Sequence, residues 1–526
     1  MRRDLDETRR RRRLADGVSY EALCAAPCAP HPARLNLAEQ VCDSWAALAP
    51  ERPAILDWRN GGLRVCSYGA LRELSLRVES WLRAQGAARG DRVGVLLSQG
   101  PLCAAAHIAA WRMGAISVPL FKLFKHDALA SRLGDSGARL VVTDGEGVAM
   151  LAPFDVQTVT EEDLPEDWLW QPVETGPEDP AVLIYTSGTT GKPKGALHGH
   201  RVLAGHMPGV EMSHDLLGQE GDVLWTPADW AWIGGLFDVL MPGLYLGVPV
   251  VAARMARFEI EECQRICRDA SVRNVFFPPT ALRMLKAEDA RIPGLRSVGS
   301  GGEPLGAEML AWGRRAFGVE INEFYGQTEC NMVASSCGAL FPARPGCIGK
   351  PAPGIRLAVI DAEGRETAAE GDVAIARDAD SMMLEYWRNP QATAEKFRGD
   401  WLVTGDRGVW EEGYLRFVGR EDDVITSAGY RIGPAEVEDC LLTHPGVATV
   451  GVVGKPDALR TEIVKAYVVV KPGQAPSVQE LQDWVKQRLA GYSYPREIAF
   501  LEALPMTVTG KVIRKELKAR AAKEVT

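Results

Sequence analysis

A segment rich in glycine, hydroxyl and lysine residues, TSGTTGKPKG at residues 186–195, constrains this chain more than any other feature. It follows directly on residues 181–186, an apolar run of the kind that forms a buried strand. Glycines let backbone N–H groups approach an anion, hydroxyl groups donate further hydrogen bonds, and lysines supply positive charge. The segment therefore predicts a phosphate-binding loop that follows a strand.

The spacing inside this loop excludes one large class of nucleotide-binding protein. A Walker A loop requires GxxxxGK followed by Ser or Thr, whose hydroxyl holds Mg²⁺. Here Gly188 lies three positions before Gly191, and Lys192 is followed by Pro193. The chain is therefore not a P-loop NTPase, and on composition alone a Gly/Thr surface loop is the alternative interpretation.

Length, charge and cysteine content set the outer limits of the prediction. A chain of 526 residues is too long for one hydrophobic core and predicts two or more domains. A net charge of −9 argues against a nucleic-acid partner, which would require concentrated positive charge. No apolar run approaches the roughly 18 residues of a membrane span. The 11 cysteines contain no CxxC pair, which favours reduced thiols in the cytoplasm.

The order of apolar runs predicts an α/β fold with two domains. Short apolar runs at residues 92–98, 139–144 and 181–186 indicate buried strands between amphipathic stretches. Near the C-terminus a helix starts at Pro434, strand-like runs begin at residues 448 and 464, and Ser477 with Glu480 forms a capping-box pattern. We expect a large N-terminal domain of layered α/β sheets, residues 1–421, and a small mobile C-terminal α+β domain, residues 422–526.

The loop closely resembles the phosphate loop of the adenylate-forming superfamily, which includes acyl-CoA synthetases, peptide-synthetase adenylation domains and firefly luciferases. The resemblance extends from residue 34 to the C-terminus, with the family's motifs in order, and is nearest to the acetyl- and medium-chain acyl-CoA synthetase branch. It implies that the loop binds the phosphates of ATP. The loop residues concerned are Thr186, Ser187, Gly188, Thr189, Thr190, Gly191 and Lys192.

Two further motifs resemble the family's adenine and magnesium sites. GGEPL at residues 301–305 resembles the adenine loop and assigns ATP binding to Gly302, Glu303 and Pro304. YGQTE at residues 325–329 implies that Tyr325 stacks on adenine, Thr328 contacts the α-phosphate and Glu329 helps to hold Mg²⁺. A carboxylate beside a triphosphate is repulsive unless such a cation bridges the two.

The TGD and GREDD motifs resemble the ribose site and the interdomain hinge. By the resemblance Asp406 accepts hydrogen bonds from the ribose hydroxyls, Arg420 reaches the ribose or phosphates, and Asp422 is the hinge. For the arginine, surface ion pairing is the alternative.

The next segment, SAGYRIGPAEVE, resembles the family's thioester-forming loop. It implies that Gly429 and Tyr430 lie along the CoA path and that Arg431 faces phosphate in one domain orientation.

The segment LPMTVTGKVIRKEL at residues 504–517 resembles the C-terminal catalytic-lysine motif. It implies that Lys511 bridges the substrate carboxylate and the α-phosphate and stabilises charge that develops in the transition state. Without the resemblance, a lysine here would be an ordinary solvated side chain. With Thr328 and Glu329, Lys511 completes the predicted catalytic set.

The acid pocket is predicted from PADWAWIGG at residues 227–235 and from one substitution. Trp232 stands where related acyl-CoA synthetases carry a pocket tryptophan, although a core position is the alternative. Acetyl-CoA synthetases carry YWQTE, whereas this chain has Gly326 in place of that Trp. We therefore expect room for an acid longer than acetate, in a pocket lined also by Phe277 and Gly301.

The resemblance implies an AMP-forming acid–thiol ligase that makes acyl-CoA from ATP, CoA and a short branched, medium-chain or aryl acid, with Mg²⁺. A stand-alone adenylation enzyme that loads a carrier protein is the main alternative, and a non-catalytic nucleotide sensor is a third. A lysine acyltransferase or deacylase that acts on Lys511 is a further expected partner, because acylation removes the ammonium charge.

Overall fold

The computed structural model describes residues 19–25, 31–59, 61–186, 193–255, 257–420, 423–427, 430–457, 460–489, 493–507 and 511–524. The strands are β1 Pro53–Arg59, β2 Gly62–Ser67, β3 Arg92–Leu96, β4 Ile116–Pro119, β5 Leu140–Thr143, β6 Gln157–Val159, β7 Pro180–Tyr185, β8 Gly195–Gly199, β9 Leu224–Trp225, β10 Val250–Ala253, β11 Asn274–Phe276, β12 Ser297–Gly301, β13 Ile321–Gln327, β14 Asn331–Ser335, β15 Cys347–Pro351, β16 Leu357–Ile360, β17 Gly371–Ala376, β18 Glu385–Tyr386, β19 Phe397–Arg398, β20 Trp401–Glu411, β21 Tyr414–Arg420, β22 Ile425–Ser427, β23 Tyr430–Ile432, β24 Val447–Asp457, β25 Thr461–Val470 and β26 Glu497–Phe500.

Helices connect about half of the consecutive strands. The α-helices are Tyr20–Ala25, Ser44–Leu48, Tyr68–Ala84, Pro101–Arg112, His126–Ser136, Gly145–Leu151, Val202–Ser213, Ile233–Gly235, Met241–Leu246, Ile260–Asp269, Pro279–Ala287, Gly306–Phe317, Pro390–Glu395, Pro434–Leu442, Val478–Lys486 and Arg514–Lys523. Shorter π or 3₁₀ turns cover Glu39–Asp43, Glu161–Asp163 and Leu236–Leu240. Within the described ranges, each helix is too short or too polar to cross a bilayer.

The largest sheet joins a parallel half to an antiparallel half. Its order is β16-β17-β20-β21-β15-β14-β13-β12-β11-β9-β10-β1-β2, with β19 paired to β20. The pairs from β1 and β10 through to β12 and β13 are parallel, whereas β14 and the strands beyond it pair antiparallel. The sheet thus changes from parallel to antiparallel pairing after β13.

A second sheet, in the order β18-β8-β7-β4-β3-β5-β6, carries the predicted phosphate loop. The three apolar runs singled out in the sequence form β3, β5 and β7 of this sheet. β7 and β8 pair antiparallel up to Tyr185 and Gly195, and the backbone N–H of Thr186 donates to the carbonyl of Lys194 at 2.9 Å. The segment between them, residues 187–192, lies outside the described residues.

The C-terminal part has a sheet and a core of its own. β23-β22-β25-β24, with β26 beside β25, form a five-stranded sheet. The helix at Pro434 and the Ser477 capping box are present as predicted. Apolar side chains from Ile425, Val452 and Leu481 bury one another in a separate cluster. The predicted fold class, a large sheet-rich N-terminal domain with a smaller C-terminal domain, is confirmed.

Candidate active site

The adenine-loop motif ends β12 and lies directly against the C-terminal domain. Gly302 has φ +100°, a left-handed conformation that favours glycine. A Cβ at this position would lie 3.3 Å from Nζ of Lys511. Next to it, Glu303 accepts a hydrogen bond from Arg283 at 2.5 Å. The structure therefore brings the predicted catalytic lysine to the predicted adenine loop across more than 200 residues of chain.

Lys511 is partly buried where it meets the N-terminal domain. Its burial lowers the pKa of the ammonium group, the charges of Glu303 and Asp406 oppose that effect, and Arg420 reinforces it. Among the described residues, no carboxylate lies within 4.0 Å of its Nζ. The ammonium thus lies near several charged groups but forms no ion pair with a described side chain.

The YGQTE segment forms the tip of the hairpin between β13 and β14. Thr328 and Glu329 lie in the connecting turn, and Asn331 at the start of β14 has φ +59°. The hydroxyl of Tyr386 donates to Oε1 of Glu329 at 2.5 Å, and Lys194 lies 5.2 Å from the ring of Tyr386. The base of the phosphate loop and the predicted metal carboxylate are therefore neighbours.

The predicted ribose carboxylate lies on β20, opposite the predicted arginine on β21. Asp406 pairs in register with Arg420, whose Nε is 4.0 Å from Oδ1 of the aspartate. The hydroxyl of Tyr325 donates to Oδ2 at 2.5 Å, and Gln327 donates to the same oxygen at 2.8 Å. Tyr325, Asp406 and Arg420, predicted from three separate motifs, thus form one contiguous group.

Phe277, predicted to line the acid pocket, packs in a hydrophobic core, and the structure gives no support for a pocket role. Phe277 is fully buried and stacks on Phe317 with ring centroids 6.0 Å apart, inside a core on the other side of the sheet. Successive residues of an extended chain point to opposite faces, so its neighbour Phe276 points to the other face of the sheet. The ring of Phe276 lies 5.2 Å from that of Phe324.

Two glycines lie directly against this pair of rings. Trp232 is half-buried and begins the short helix Ile233–Gly235. A Cβ on Gly234 would lie 2.7 Å from the ring of Phe276, and one on Gly301 would lie 2.4 Å from the ring of Phe324. Glycines at these two positions therefore let the aromatic rings approach the backbone closely.

The structure corrects the physical reason given for Gly326. A Cβ at this position would lie 1.8 Å from the carbonyl oxygen of Asn331, so the direction of the missing side chain is filled by backbone. The pairing of β13 with β14 is irregular at this point, between Tyr325 and Gly326. The glycine permits the tight approach of the two strands, and does not open a cavity in the direction of its missing side chain.

Several predicted residues cannot be placed. Ser187, Gly188, Thr189, Thr190, Gly191, Lys192, Asp422 and Gly429 lie outside the described residues. Tyr430 and Arg431 are described only as backbone, in β23. Their roles stay predictions.

The carboxylate of Glu329 fits what Mg²⁺ requires at a nucleotide site. Within the described residues, no group of three or more His, Cys, Asp or Glu side chains could hold a metal. Mg²⁺ is usually bound through one or two carboxylates together with water and substrate phosphates, so a single carboxylate beside a phosphate loop suits it. Magnesium itself stays a prediction.

Two protein-family models match the chain, one in each domain. The model described as AMP-binding enzyme matches residues 42–387, and that of the AMP-binding enzyme C-terminal domain matches residues 436–511. The chain belongs to the AMP-binding enzyme family. The predicted resemblance to the adenylate-forming superfamily is thereby confirmed. This AMP-binding enzyme is a ligase, as predicted.

Individual relatives extend the likeness over nearly the whole chain. The human mitochondrial acyl-coenzyme A synthetase ACSM4 is 35% identical, with 93% of this chain and 91% of the relative covered. The acetyl-coenzyme A synthetase of Bacillus subtilis (strain 168) is 34% identical, with 86% and 84% covered. The crystal structure of the anthranilate CoA ligase AuaEII in complex with anthranoyl-AMP has a TM-score of 0.84 and 26% identity, over 93% of this chain and 98% of that one.

The sequence motifs of this AMP-binding enzyme missed three residues that contact the site. Arg283 pairs with Glu303, Tyr386 holds Glu329, and Phe276 packs against Phe324 beside the predicted pocket residue Gly301. Alternation along β11 would have distinguished Phe276 from Phe277 if the direction of one of them had been known. Arg283 and Tyr386 lie in ordinary helical and strand-end sequence, so no local pattern marks them.

Proposed function

We propose that this AMP-binding enzyme is an acyl-CoA synthetase that works in two half-reactions. In the first, an oxygen of the acid's carboxylate attacks the α-phosphorus of ATP, the bond to the β-phosphate breaks, and pyrophosphate leaves. In the second, the thiol of CoA attacks the acyl carbonyl, its proton is lost, and AMP leaves. The products are acyl-CoA, AMP and pyrophosphate.

The position of Lys511 carries this proposal. An ammonium group held beside Gly302, between the carboxylates of Glu303 and Asp406, is suited to meet the charge that develops between an acid and the α-phosphate. Positioning and charge stabilisation are the main contributions that phosphoryl and nucleotidyl transfer needs from a protein. The relatives named as acyl-CoA synthetases support CoA as the thiol.

The test is a panel of carboxylic acids from two to ten carbons, each assayed with ATP and CoA by release of AMP and pyrophosphate. We expect AMP and acyl-CoA to form in equal amounts with at least one acid. AMP formation that depends on an acid but not on CoA would contradict the proposal.

For the acid itself we propose a short branched, medium-chain or aryl compound. Gly326 lacks the tryptophan of YWQTE, but the Asn331 backbone fills the direction of its missing side chain, so we assign the width of the pocket to Phe276, Phe324 and Trp232. The likeness to a ligase solved with anthranoyl-AMP supports an aryl acid. A clear optimum of kcat/KM at acetate in the acid panel would overturn this part of the proposal.

We assign ATP to the phosphate loop, the adenine loop, Tyr325, Asp406 and Arg420, and the magnesium ligand to Glu329. We place the domain boundary at residues 421 and 422, with the C-terminal domain turning there between the half-reactions. Mg²⁺, when bound, would neutralise charge on the phosphates.

Two further expectations follow from the chemistry of single side chains. Acylation of Lys511 by an acyltransferase would remove its charge and stop adenylation; full activity after quantitative acetylation would contradict this. We also propose a reducing compartment, the cytoplasm, because the 10 cysteines in the described ranges are free thiols. Fractionation of cells that express the chain tests the latter.

A further inference from the structure

The carboxylate of Asp406 contacts Tyr325, which has a predicted role, and Gln327, which has none. It is only 6% exposed, so its surroundings determine its orientation. Its Oδ2 accepts from the hydroxyl of Tyr325 and from Nε2 of Gln327, at 2.5 Å and 2.8 Å. Its Oδ1 lies 4.0 Å from Nε of Arg420, which is too long for a hydrogen bond. Two side chains of β13 thus fix Oδ2, whereas Oδ1 makes no hydrogen bond to Arg420.

The amide of Gln327 can make these contacts in one orientation only. Its Nε2 donates to Oδ2 of Asp406 and also to the carbonyl of Thr404 at 3.0 Å. Its Oε1 accepts from Nζ of Lys396 at 3.3 Å. A flipped amide would place its oxygen against two acceptors and its nitrogen against an ammonium group. Lys396, which also donates to Thr404 at 3.2 Å, therefore fixes which end of the amide faces the aspartate.

We propose that Gln327 and Lys396 are positioning residues that hold the Asp406 carboxylate for the ribose hydroxyls of ATP. The inference rests on the proposed function, since it takes Asp406 as the ribose-binding group. With Oδ2 occupied by Tyr325 and Gln327, Oδ1 keeps a defined direction for hydroxyl donors. Neither positioning residue needs to touch ATP, because each acts through the carboxylate.

The same contacts keep the carboxylate charged in a buried site. Burial raises the pKa of Asp406, and the hydrogen bonds of Tyr325 and Gln327 and the charges of Arg420 and Lys396 counteract this. Two other groups face it: the ammonium of Lys511 and the thiol of Cys330. Loss of Lys396 or of the amide raises the pKa further. Since only the ionised form accepts from both ribose hydroxyls, ATP use then falls off at a higher pH.

The experiment compares Gln327→Leu and Lys396→Met with wild type on ATP, 2′-deoxy-ATP and 3′-deoxy-ATP in the full-length enzyme. Hydrogen bonds to a charged group are worth about 1.5–3 kcal/mol, so we expect KM for ATP to rise roughly 10- to 100-fold. KM for each deoxy nucleotide should rise less than KM for ATP, because it retains only one of the two hydroxyls that the carboxylate would bind. The acid limb of kcat/KM for ATP should move to higher pH, and Lys396→Arg should restore it.

The matched control is Gln391→Leu, an exposed glutamine that donates to Glu395 at 2.8 Å on the helix that precedes Lys396. It should leave every nucleotide unaffected. Equal losses on ATP and on both deoxy nucleotides, with no movement of the acid limb, would overturn the positioning role alone. If wild type did not distinguish ATP from the deoxy nucleotides and Asp406→Asn left KM for ATP unchanged, the ribose assignment would fail, and the inference with it.

Discussion

The cluster around Arg112 and the group around Lys511 both place a positive charge near two carboxylates, but they use that charge in opposite ways. Arg112 is 1% exposed and donates to both oxygens of Asp43, at 2.7 Å and 3.1 Å, and to Glu79 and Ser75. Lys511 faces Glu303 and Asp406 without an ion pair to either within the described residues. A charge satisfied by its own chain stabilises the fold, whereas a charge left unsatisfied is available to a substrate.

The first test of this comparison removes the guanidinium of Arg112, whose charge is paired within the fold. We expect Arg112→Met to lower the free energy of unfolding by about 3–5 kcal/mol, because it removes the hydrogen-bonded cation of buried Asp43 and one of the two cations of buried Glu79. Urea unfolding measures this, and kcat/KM of the folded enzyme should be unchanged. The control is Arg83→Met, which removes the partly exposed partner of Glu79 at 2.7 Å and should cost less than Arg112→Met, because Glu79 keeps Arg112 and Asp43 is untouched. Equal costs for the two variants would contradict the comparison.

Adjacent phenylalanines on β11 and just beyond it offer a second test. Phe277→Ala should lower the free energy of unfolding by about 3–5 kcal/mol and leave acid preference unchanged. Phe276→Ala should also destabilise, but it should shift the kcat/KM ratio toward bulkier acids by about 10- to 100-fold. Unfolding curves and the acid panel measure the two effects. A change of acid preference in Phe277→Ala alone would show that the face assignment is inverted.

A third test crowds Lys511 without removing it. In Gly302→Ala the new Cβ would lie 3.3 Å from Nζ of Lys511, and the backbone would be strained by about 1–3 kcal/mol at φ +100°. Gly294→Ala shares the strain, at φ +90°, but has nothing within 4 Å of its Cβ. We expect both variants to lose stability and only Gly302→Ala to slow adenylation. The same adenylation rate in both would mean that the contact is without consequence.

The smallest expected effect is a pH dependence confined to one half-reaction. Because burial lowers the pKa of Lys511, the ammonium is lost, as pH rises, earlier than for an exposed lysine. Adenylation should therefore show an alkaline limb that thioester formation from a preformed acyl-adenylate lacks. Rate profiles for each half-reaction check this, and an identical limb in both would assign the titration to another group.

How much of this site the sequence predicts depends on how far apart the contacting residues lie along the chain. Tyr325, Asp406 and Lys511 belong to short motifs, so their chemistry could be recognised before any contact was known. Gln327 sits inside one of those motifs, yet its role depends on Lys396, which no local pattern connects to it.

The predictions for Phe277 and Gly326 that the structure does not support also have a structural cause. The choice between Phe276 and Phe277 depends on which face of the sheet is the site, and a short apolar run does not specify that. The space beside Gly326 depends on the backbone of Asn331, because the tight hairpin brings it within 1.8 Å of the missing Cβ. Fold class, by contrast, follows from strand and helix patterns that extend along the whole chain.

The most direct test of the central claim, that Lys511 acts in adenylation, is to measure both half-reactions in Lys511→Met, with the exposed Lys471→Met as control. Loss of one charge-stabilising donor predicts a fall of about 10²- to 10³-fold in acid-dependent pyrophosphate exchange. Thioester formation from isolated acyl-adenylate and CoA should stay near the wild-type rate, and the control should match wild type in both. An equal fall in the two half-reactions would contradict the claim.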